Sequence, residues 1–224
     1  MSIKHTDPAA EAGEQEIILI RHGQSTANAT GVWQGQLDYP LSEEGRRQAA
    51  AAGRALRGAN IHGIYASPLL RAFETAGIVA RETGFSDEVV PVPDLTERGG
   101  GVLEGLTWEE QEARNPEFVR KFLALPEEER WTVAGAETDE EILRRFERAL
   151  STIRSRHRET DGSLVIVSHG GIMRAFLRDL YGPEVLPGHE RAPNCSFTRL
   201  LWDPSEPHVP PQLIELASTQ HLSL

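Results

Sequence analysis

Two short apolar runs that each end in a histidine and a glycine constrain this chain more than any other feature. Residues 16–23 read EIILIRHG, and residues 163–171 read SLVIVSHGG. A short, continuous, β-branched run is typical of a strand that is buried on both faces of a sheet. In open α/β sheets, ligands bind outside the carboxyl ends of the strands. Arg21, His22 and His169 therefore occupy positions where such a fold would hold reactive groups.

The glycines after the two histidines belong to the same pattern. Gly23 follows His22, and Gly170 follows His169. Because glycine has no Cβ, it lets the backbone approach a ligand closely or adopt a positive φ. We therefore include Gly23 and Gly170 among the predicted substrate-binding positions.

The rest of the chain alternates strand and helix signals. Further strands are predicted at 62–66, 89–92, 196–202 and 212–217, and helices at 42–57, from 69 onward, at 138–158 and at 172–181. The charged stretch 107–131 is predicted to form two short helices, broken near Asn115-Pro116 and ending by Pro126. This alternation predicts the α/β class, as a three-layer α/β/α sandwich with a mostly parallel central sheet. Residues 1–15 are predicted to be a disordered lead-in and residues 16–224 a single domain.

Composition narrows the environment and the partners. A net charge of −11 argues against a nucleic-acid-binding surface, which needs clustered Lys and Arg. No apolar run approaches the roughly 18 residues that a membrane span needs, and the polar lead-in lacks the apolar core of a signal peptide. Cys195 is the single cysteine, so an intrachain disulfide and a multi-thiolate metal site are impossible. The sequence predicts a soluble cytoplasmic monomer or homodimer with Cys195 as a small buried hydrophobe.

Cations and imidazoles after several predicted strands indicate a pocket for a phosphate group. A phosphate monoester carries nearly two negative charges at neutral pH, and the guanidinium groups of Arg21 and Arg71 match its oxygens bidentately. A neutral imidazole can attack phosphorus and form a covalent intermediate. The leaving oxygen then needs a proton donor, for which Glu97 is the candidate and nearby Glu104 the alternative.

Four blocks of this sequence, in their order along the chain, carry a family resemblance. They read RHGQSTAN at 21–28, SPLLRAFETA at 67–76, LTERGGGVLEG at 95–105 and VSHGG at 167–171. Together they resemble the signature blocks of the histidine phosphatase superfamily, which has the phosphoglycerate mutase-like fold. The likeness runs from about residue 17 to residue 222.

The resemblance implies a reaction without metal or cofactor, through a phosphohistidine on a small phosphorylated metabolite. His22 would be the nucleophile, Glu97 the acid, and Asn28 a contributor to the pocket, as the family commonly has asparagine at this position. The groups around the phosphoryl oxygens would be Arg21, Arg71 and His169.

Departures from the family's mutases favour its phosphatase branch. Mutases carry ERHYGALQGLNK, in which the tyrosine and the lysine hold the substrate. Here these positions are Gly100 and Trp108, and only Arg98 remains as a predicted substrate-binding residue. The sequence therefore predicts a histidine acid-type phosphatase with a roomy leaving-group pocket, near whose rim lie Trp33, Arg98 and Trp108. A cofactor-dependent mutase and a non-catalytic phosphate-binding relative remain open, and Arg191 and His189 are expected to lie outside the pocket.

Overall fold

The computed structural model describes residues 15–157, 162–187, 191–203 and 209–223. Most of the predicted lead-in, residues 1–14, lies outside these ranges, and so does His189. Gln15, the last residue of the predicted lead-in, is instead the first residue of strand β1 and pairs with Trp202. Within the described ranges, no helix is both long enough and apolar enough to cross a membrane.

Six strands of the described chain form one sheet. Their bounds are β1 Gln15–Arg21, β2 Ile61–Ala66, β3 Val90–Pro91, β4 Ser163–Ser168, β5 Phe197–Trp202 and β6 Gln212–Ser218. Their order across the sheet is β3-β2-β4-β1-β5-β6. Strands β1 to β4 pair in parallel, whereas β5 and β6 join in antiparallel fashion. The prediction of a mostly parallel sheet is confirmed. Strand β3 is shorter than predicted, since Pro91 cannot donate to a ladder and is tolerated only at the sheet edge.

Helices cover both faces of this sheet. Their bounds are α1 Thr26–Thr30, α2 Glu43–Ala55, α3 Leu70–Thr83, α4 Trp108–Arg114, α5 Pro116–Ala124, α6 Glu127–Ala134, α7 Asp139–Arg156 and α8 Gly170–Tyr181. Side chains of alternate β1 residues pack on opposite faces of the sheet, as expected for a strand with period two. Ile17 and Leu19 pack with α7 and α8, whereas Ile18 and Ile20 pack with α2 and α3. All four side chains are fully buried, so the three-layer prediction is confirmed.

The stretch between β3 and α7 corrects one prediction. It contains three helices, α4 to α6, rather than two, and Pro126 is the N-cap of α6 rather than the end of the helical stretch. A proline is tolerated at the start of a helix because its missing N–H would have no intrahelical partner there. These helices build a third cluster, separate from the two sheet cores, around Leu103, Phe122 and Ala134. Three tryptophans pack against it: Trp33, Trp108 and Trp131.

Candidate active site

The two predicted strand-end histidines meet at one edge of the sheet. Strands β1 and β4 are parallel neighbours, with Arg21 opposite Ser168. The His22 amide donates to the Ser168 carbonyl at 2.9 Å, which carries the pairing one residue further. The rings of His22 and His169 consequently lie with centroids 5.0 Å apart. The carboxyl ends of parallel strands thus bring together the residues that the sequence singled out.

The His22 ring is held in one tautomer with one nitrogen available. Its Nδ1 lies 2.7 Å from the Gly23 carbonyl oxygen. Because a carbonyl only accepts hydrogen bonds, Nδ1 carries the proton and Nε2 keeps its lone pair. Burial, followed by the charges of His169, Arg21 and Arg71, lowers the pKa of His22 well below its ordinary value of 6.5. His22 is therefore a neutral imidazole at pH 7, which is the form that attacks phosphorus.

His169 stands behind this ring and is fully buried. Its Nε2 lies 2.8 Å from the Ser67 hydroxyl, while its Nδ1 has no hydrogen-bond partner among the described residues. Burial, followed by the charges of Arg71 and Arg21, lowers the pKa of His169. When Ser67 donates to Nε2, the proton of the neutral ring is on Nδ1, which is then a free donor.

Arg21 is fixed against the late loop that precedes β5. One of its terminal nitrogens donates to the Ala192 carbonyl at 2.6 Å, while its buried Nε has no partner in the described chain. Burial, followed by the charge of Arg191, lowers the pKa of Arg21 to about 10. Arg21 thus stays protonated at neutral pH.

Arg71, near the start of α3, is held in a similar way. Its two terminal nitrogens donate to the carbonyls of Leu37 and Gly35 at 2.9 and 2.7 Å. Its Nε is buried and unpaired within the described ranges. A buried donor without a partner costs about 1–3 kcal/mol. A group with several acceptor oxygens would remove this cost for Arg71 as well as for Arg21 and His169.

Glu97 lies at the amino end of α8, where backbone amides converge on its carboxylate. The amides of Gly171, Ile172 and Arg98 donate to it at 2.9, 3.0 and 2.8 Å. Burial raises the pKa of Glu97, but the Arg191 guanidinium, the Gly171 and Arg98 amides and Arg71 together outweigh it, so the pKa is lower than ordinary. Glu97 is therefore ionised at neutral pH in the free protein.

The alternative acid, Glu104, has a different environment. Its Oε1 accepts from the amides of Gln36 and Gly100 at 3.0 and 2.7 Å. Glu104 thus links two loops by hydrogen bonds. It does not line the cavity that contains His22, whereas Glu97 lines it. The geometry favours Glu97 over Glu104 as the group that reaches a leaving oxygen.

Asn28 lines the cavity from a helix that the sequence did not predict. Ser25 and Asn28 form a capping box that begins α1: the Ser25 hydroxyl accepts from the Asn28 amide, and Asn28 Oδ1 accepts from the Ser25 amide. Asn194 donates to the His22 carbonyl at 2.9 Å and to Asn28 Oδ1 at 3.4 Å. Asn28 is thus both a capping residue and part of the predicted pocket.

Three other residues that were predicted to bind substrate instead make contacts within the protein. The Gly23 amide donates to the Thr75 hydroxyl at 3.0 Å, and Gly23 does not line the cavity. A Cβ at Gly170 would stand 3.1 Å from Arg21 Nε, so this glycine makes room for the guanidinium. Arg98 lines the cavity, but its donors bind the Glu137 carbonyl and the Asp139 carboxylate. Gly23 therefore has neither a free amide nor a position in the cavity lining from which to contact a substrate.

Arg191 corrects another expectation, because it lines the cavity rather than lying outside it. Its guanidinium lies over the Trp33 ring, 4.9 Å from the centroid. It makes no hydrogen bond or ion pair with the described residues, so its five donors are available to a ligand. Its charge acts on the pKa of both Glu97 and Arg21. Sequence spacing gave no signal for this contact, because the loop is brought to His22 only by the pairing of β5 with β1.

The cavity has a volume of about 530 Å³ and two regions. The near region is lined by Arg21, His22, Arg71, Glu97 and Arg191, while the fully buried His169 lies behind this lining. The far region is lined mainly by side chains of the third cluster. The lining residues of the far region include Trp33, Trp108, Phe122, Leu123, Arg130, Trp131 and Arg174. Within the described ranges, no group of three His, Cys, Asp or Glu side chains could hold a metal ion. The cationic side chains that line this cavity are arginines.

Fold and site together define an α/β protein with a cavity at the carboxyl ends of its parallel strands, lined by arginines beside a neutral histidine. The family model of the histidine phosphatase superfamily (branch 1) matches residues 17–210. The chain belongs to the histidine phosphatase superfamily, which confirms the resemblance inferred from its four sequence blocks.

Its relatives include phosphoserine phosphatases and phosphoglycerate mutase-like proteins. The chain is 36% identical over 171 residues to the metal-independent phosphoserine phosphatase of Arabidopsis thaliana, covering 76% of this chain and 70% of the relative. It is 32% identical over 170 residues to phosphoserine phosphatase 1 of Hydrogenobacter thermophilus, covering 76% and 78%. A solved structure of the mycobacterial glucosyl-3-phosphoglycerate phosphatase with VO3 superposes with a TM-score of 0.75 at 28% identity, covering 91% of this chain and 99% of that one.

Proposed function

We propose that this chain is a metal-independent phosphomonoester hydrolase that transfers the phosphoryl group of a small metabolite first to His22 and then to water. One observation carries the proposal: His22 lines the cavity as a neutral imidazole with a free Nε2, beside two arginines whose buried Nε–H groups lack protein partners. Protonated arginines stabilise the charge of a loosely bonded phosphoryl group without a metal ion.

In the first step, His22 Nε2 forms a bond to phosphorus while the bond from phosphorus to the leaving oxygen breaks. Arg21, Arg71 and the Nδ1 of His169 hold the phosphoryl oxygens, with Asn28 at the rim of this pocket. Glu97 gives a proton to the leaving oxygen. In the second step, water attacks phosphorus and gives its proton to Glu97, and His22 leaves as a neutral imidazole.

The proton for the leaving group arrives with the substrate. Glu97 is ionised in the free protein, whereas the second pKa of a phosphate monoester is about 6. The monoanion therefore delivers one proton, which Glu97 receives in the complex and passes to the leaving oxygen. This supports acid-type behaviour: kcat/KM should fall as pH rises above about 6. A profile that stays flat to pH 8 would overturn this proton route.

Hydrolysis rather than mutase activity is supported by the positions that face the cavity. The two positions at which family mutases hold their carboxylated substrate are Gly100 and Trp108, neither of which carries a cation or a hydroxyl. The test is a panel of phosphomonoesters in EDTA, with free phosphate and phosphoryl transfer to added phosphoglycerate both measured. Phosphate release that EDTA leaves unchanged supports the proposal, whereas transfer without release would make the protein a mutase. Binding with no turnover would make it a non-catalytic relative.

Several further proposals concern the whole protein. We take the chain from β1 onward as one domain that works in the cytoplasm as a monomer or a homodimer. Cys195 supports a reducing compartment, because it is a free, buried thiol. Limited proteolysis, size-exclusion chromatography and cell fractionation test these points in turn.

A further inference from the structure

We propose that the far region of the cavity is a leaving-group subsite for a flat, uncharged carbon face, and that it selects substrates with a ring over phosphoserine. We call this region the aromatic chamber and define it by Trp33, Trp108, Phe122, Leu123 and Trp131. The proposal rests on the proposed hydrolysis at His22, whose leaving group must extend away from the phosphoryl pocket into the rest of the same cavity.

The chamber is built from aromatic rings that contact one another. The ring centroids of Trp33 and Trp131 are 6.4 Å apart, those of Trp108 and Phe122 are 5.8 Å apart, and those of Phe122 and Trp131 are 6.3 Å apart. Three of the chain's four tryptophans line this one cavity. Large rings held by their neighbours present fixed apolar faces, and such faces bind aromatic rings or the carbon face of a sugar.

Three arginines that line the chamber already bind other groups of the protein. Arg98 binds Asp139 and lies over the Trp131 ring at 4.2 Å from the centroid. Arg130 donates to the carbonyls of Leu125 and Leu123 at 2.9 and 3.3 Å. In addition, Arg174 pairs with Glu127 at 2.7 Å. These contacts fix the chamber walls and leave the guanidinium groups of Arg98 and Arg174 neutralised by carboxylates.

The carboxylates that line the cavity are also bound by other groups of the protein. Glu97 accepts three backbone amides, and Glu127 pairs with Arg174. Arg191, which lies over Trp33, can pair with the carboxylate of phosphoserine, but the ammonium group would lose its hydration without gaining a free carboxylate from the described residues. Desolvating a charge without a partner is costly, whereas an apolar ring face carries no charge to desolvate. The cavity volume of about 530 Å³ lies within the range of about 300–1,000 Å³ that holds drug-sized ligands.

The test compares ethyl phosphate with 2-phenylethyl phosphate. Both release a primary alcohol, so the chemistry of the leaving group is matched and the two differ mainly by the ring. Burying a ring of this size favours binding by about 1.5–3 kcal/mol, which is roughly a 10- to 100-fold rise in kcat/KM. Glucose 6-phosphate, also a primary alkyl ester, distinguishes a sugar face from an aromatic one. Phosphoserine completes the set and should be a poorer substrate than 2-phenylethyl phosphate.

Substitutions of single tryptophans test whether the chamber causes the preference for a ring. Trp108→Ala should lower the ratio of kcat/KM for 2-phenylethyl phosphate to kcat/KM for ethyl phosphate about tenfold, whereas a variant outside the chamber should leave this ratio unchanged. Trp202→Ala is the matched control, because Trp202 lies on β5 and does not line the cavity. Wild-type protein that hydrolyses ethyl and 2-phenylethyl phosphate equally, or that prefers phosphoserine, overturns the subsite while leaving hydrolysis at His22 intact. Absence of turnover on every ester, with no phosphate on His22, overturns the proposed function instead.

Discussion

Replacing Gly171 by alanine is expected to separate the catalytic position of Glu97 from the stability of the fold. A Cβ at Gly171 would stand 2.6 Å from Glu97 Oε1 and 3.0 Å from its Cδ. The first distance is shorter than real Cβ atoms adopt and the second is tighter than most, so the carboxylate must move away from the start of α8. That movement weakens the hydrogen bonds that the Gly171 and Ile172 amides donate at 2.9 and 3.0 Å.

The stability change should be modest because two effects oppose each other. Losing one hydrogen bond to a charged group costs about 1.5–3 kcal/mol, while alanine gains about 1 kcal/mol over glycine within a helix. The free energy of unfolding should therefore fall by about 0.5–2 kcal/mol, which leaves a typical domain folded. The pKa of Glu97 should rise, since amides that favour its charged form are withdrawn.

Activity should fall much more than stability. Misplacing a catalytic group by about 1 Å can cost about 100-fold in rate. We expect kcat for an alkyl phosphate to fall about 100-fold in Gly171→Ala, measured as phosphate release, with the unfolding free energy measured in urea on the same sample. Gly77→Ala is the control, because no atom lies within 4 Å of a Cβ at this helical position. It should leave kcat unchanged and raise stability by about 0.5–1 kcal/mol. A Gly171→Ala protein with wild-type kcat would refute the assigned position of Glu97.

Three further substitutions or reactions test other parts of the site. Glu97→Gln should slow alkyl phosphates about 100-fold but p-nitrophenyl phosphate less than tenfold, because nitrophenolate leaves without a proton; equal slowing would point to Glu104 or water as the donor. Arg191→Met should raise KM about tenfold and raise the pKa of Glu97, since Arg191 lowers it; an unchanged KM would exclude Arg191 from substrate binding. The Cys195 thiol, whose pKa burial raises to about 12, should react with a disulfide reagent at pH 8 only after unfolding, and fast reaction of the native protein would contradict its burial.

The strand-end residues could be predicted because they depend on local sequence. Four consecutive apolar residues before Arg21 and His22 require a buried strand, and the similar run before His169 requires another. Parallel pairing of such strands then brings their carboxyl ends together regardless of the rest of the fold. The positions of His22 and His169 and the sheet type therefore follow from periodicity and from one topological rule, whereas their proposed roles come from the family resemblance.

Other features depend on contacts between distant segments and gave no such signal. Arg191 reaches the pocket because Ala192 and Asn194 bond to Arg21 and His22 across more than 170 residues of sequence. The sequence did not indicate helix α6 because Pro126 is compatible both with ending one helix and with starting the next.

The most direct test of the account is to trap phosphate on the protein during turnover. Wild-type protein mixed with a radiolabelled phosphomonoester and quenched in alkali should carry label that is stable in base, labile in acid and located on the peptide containing His22. His22→Ala should carry no label and release no phosphate. A labelled residue other than His22, or turnover by His22→Ala at the wild-type rate, would contradict the phosphohistidine route.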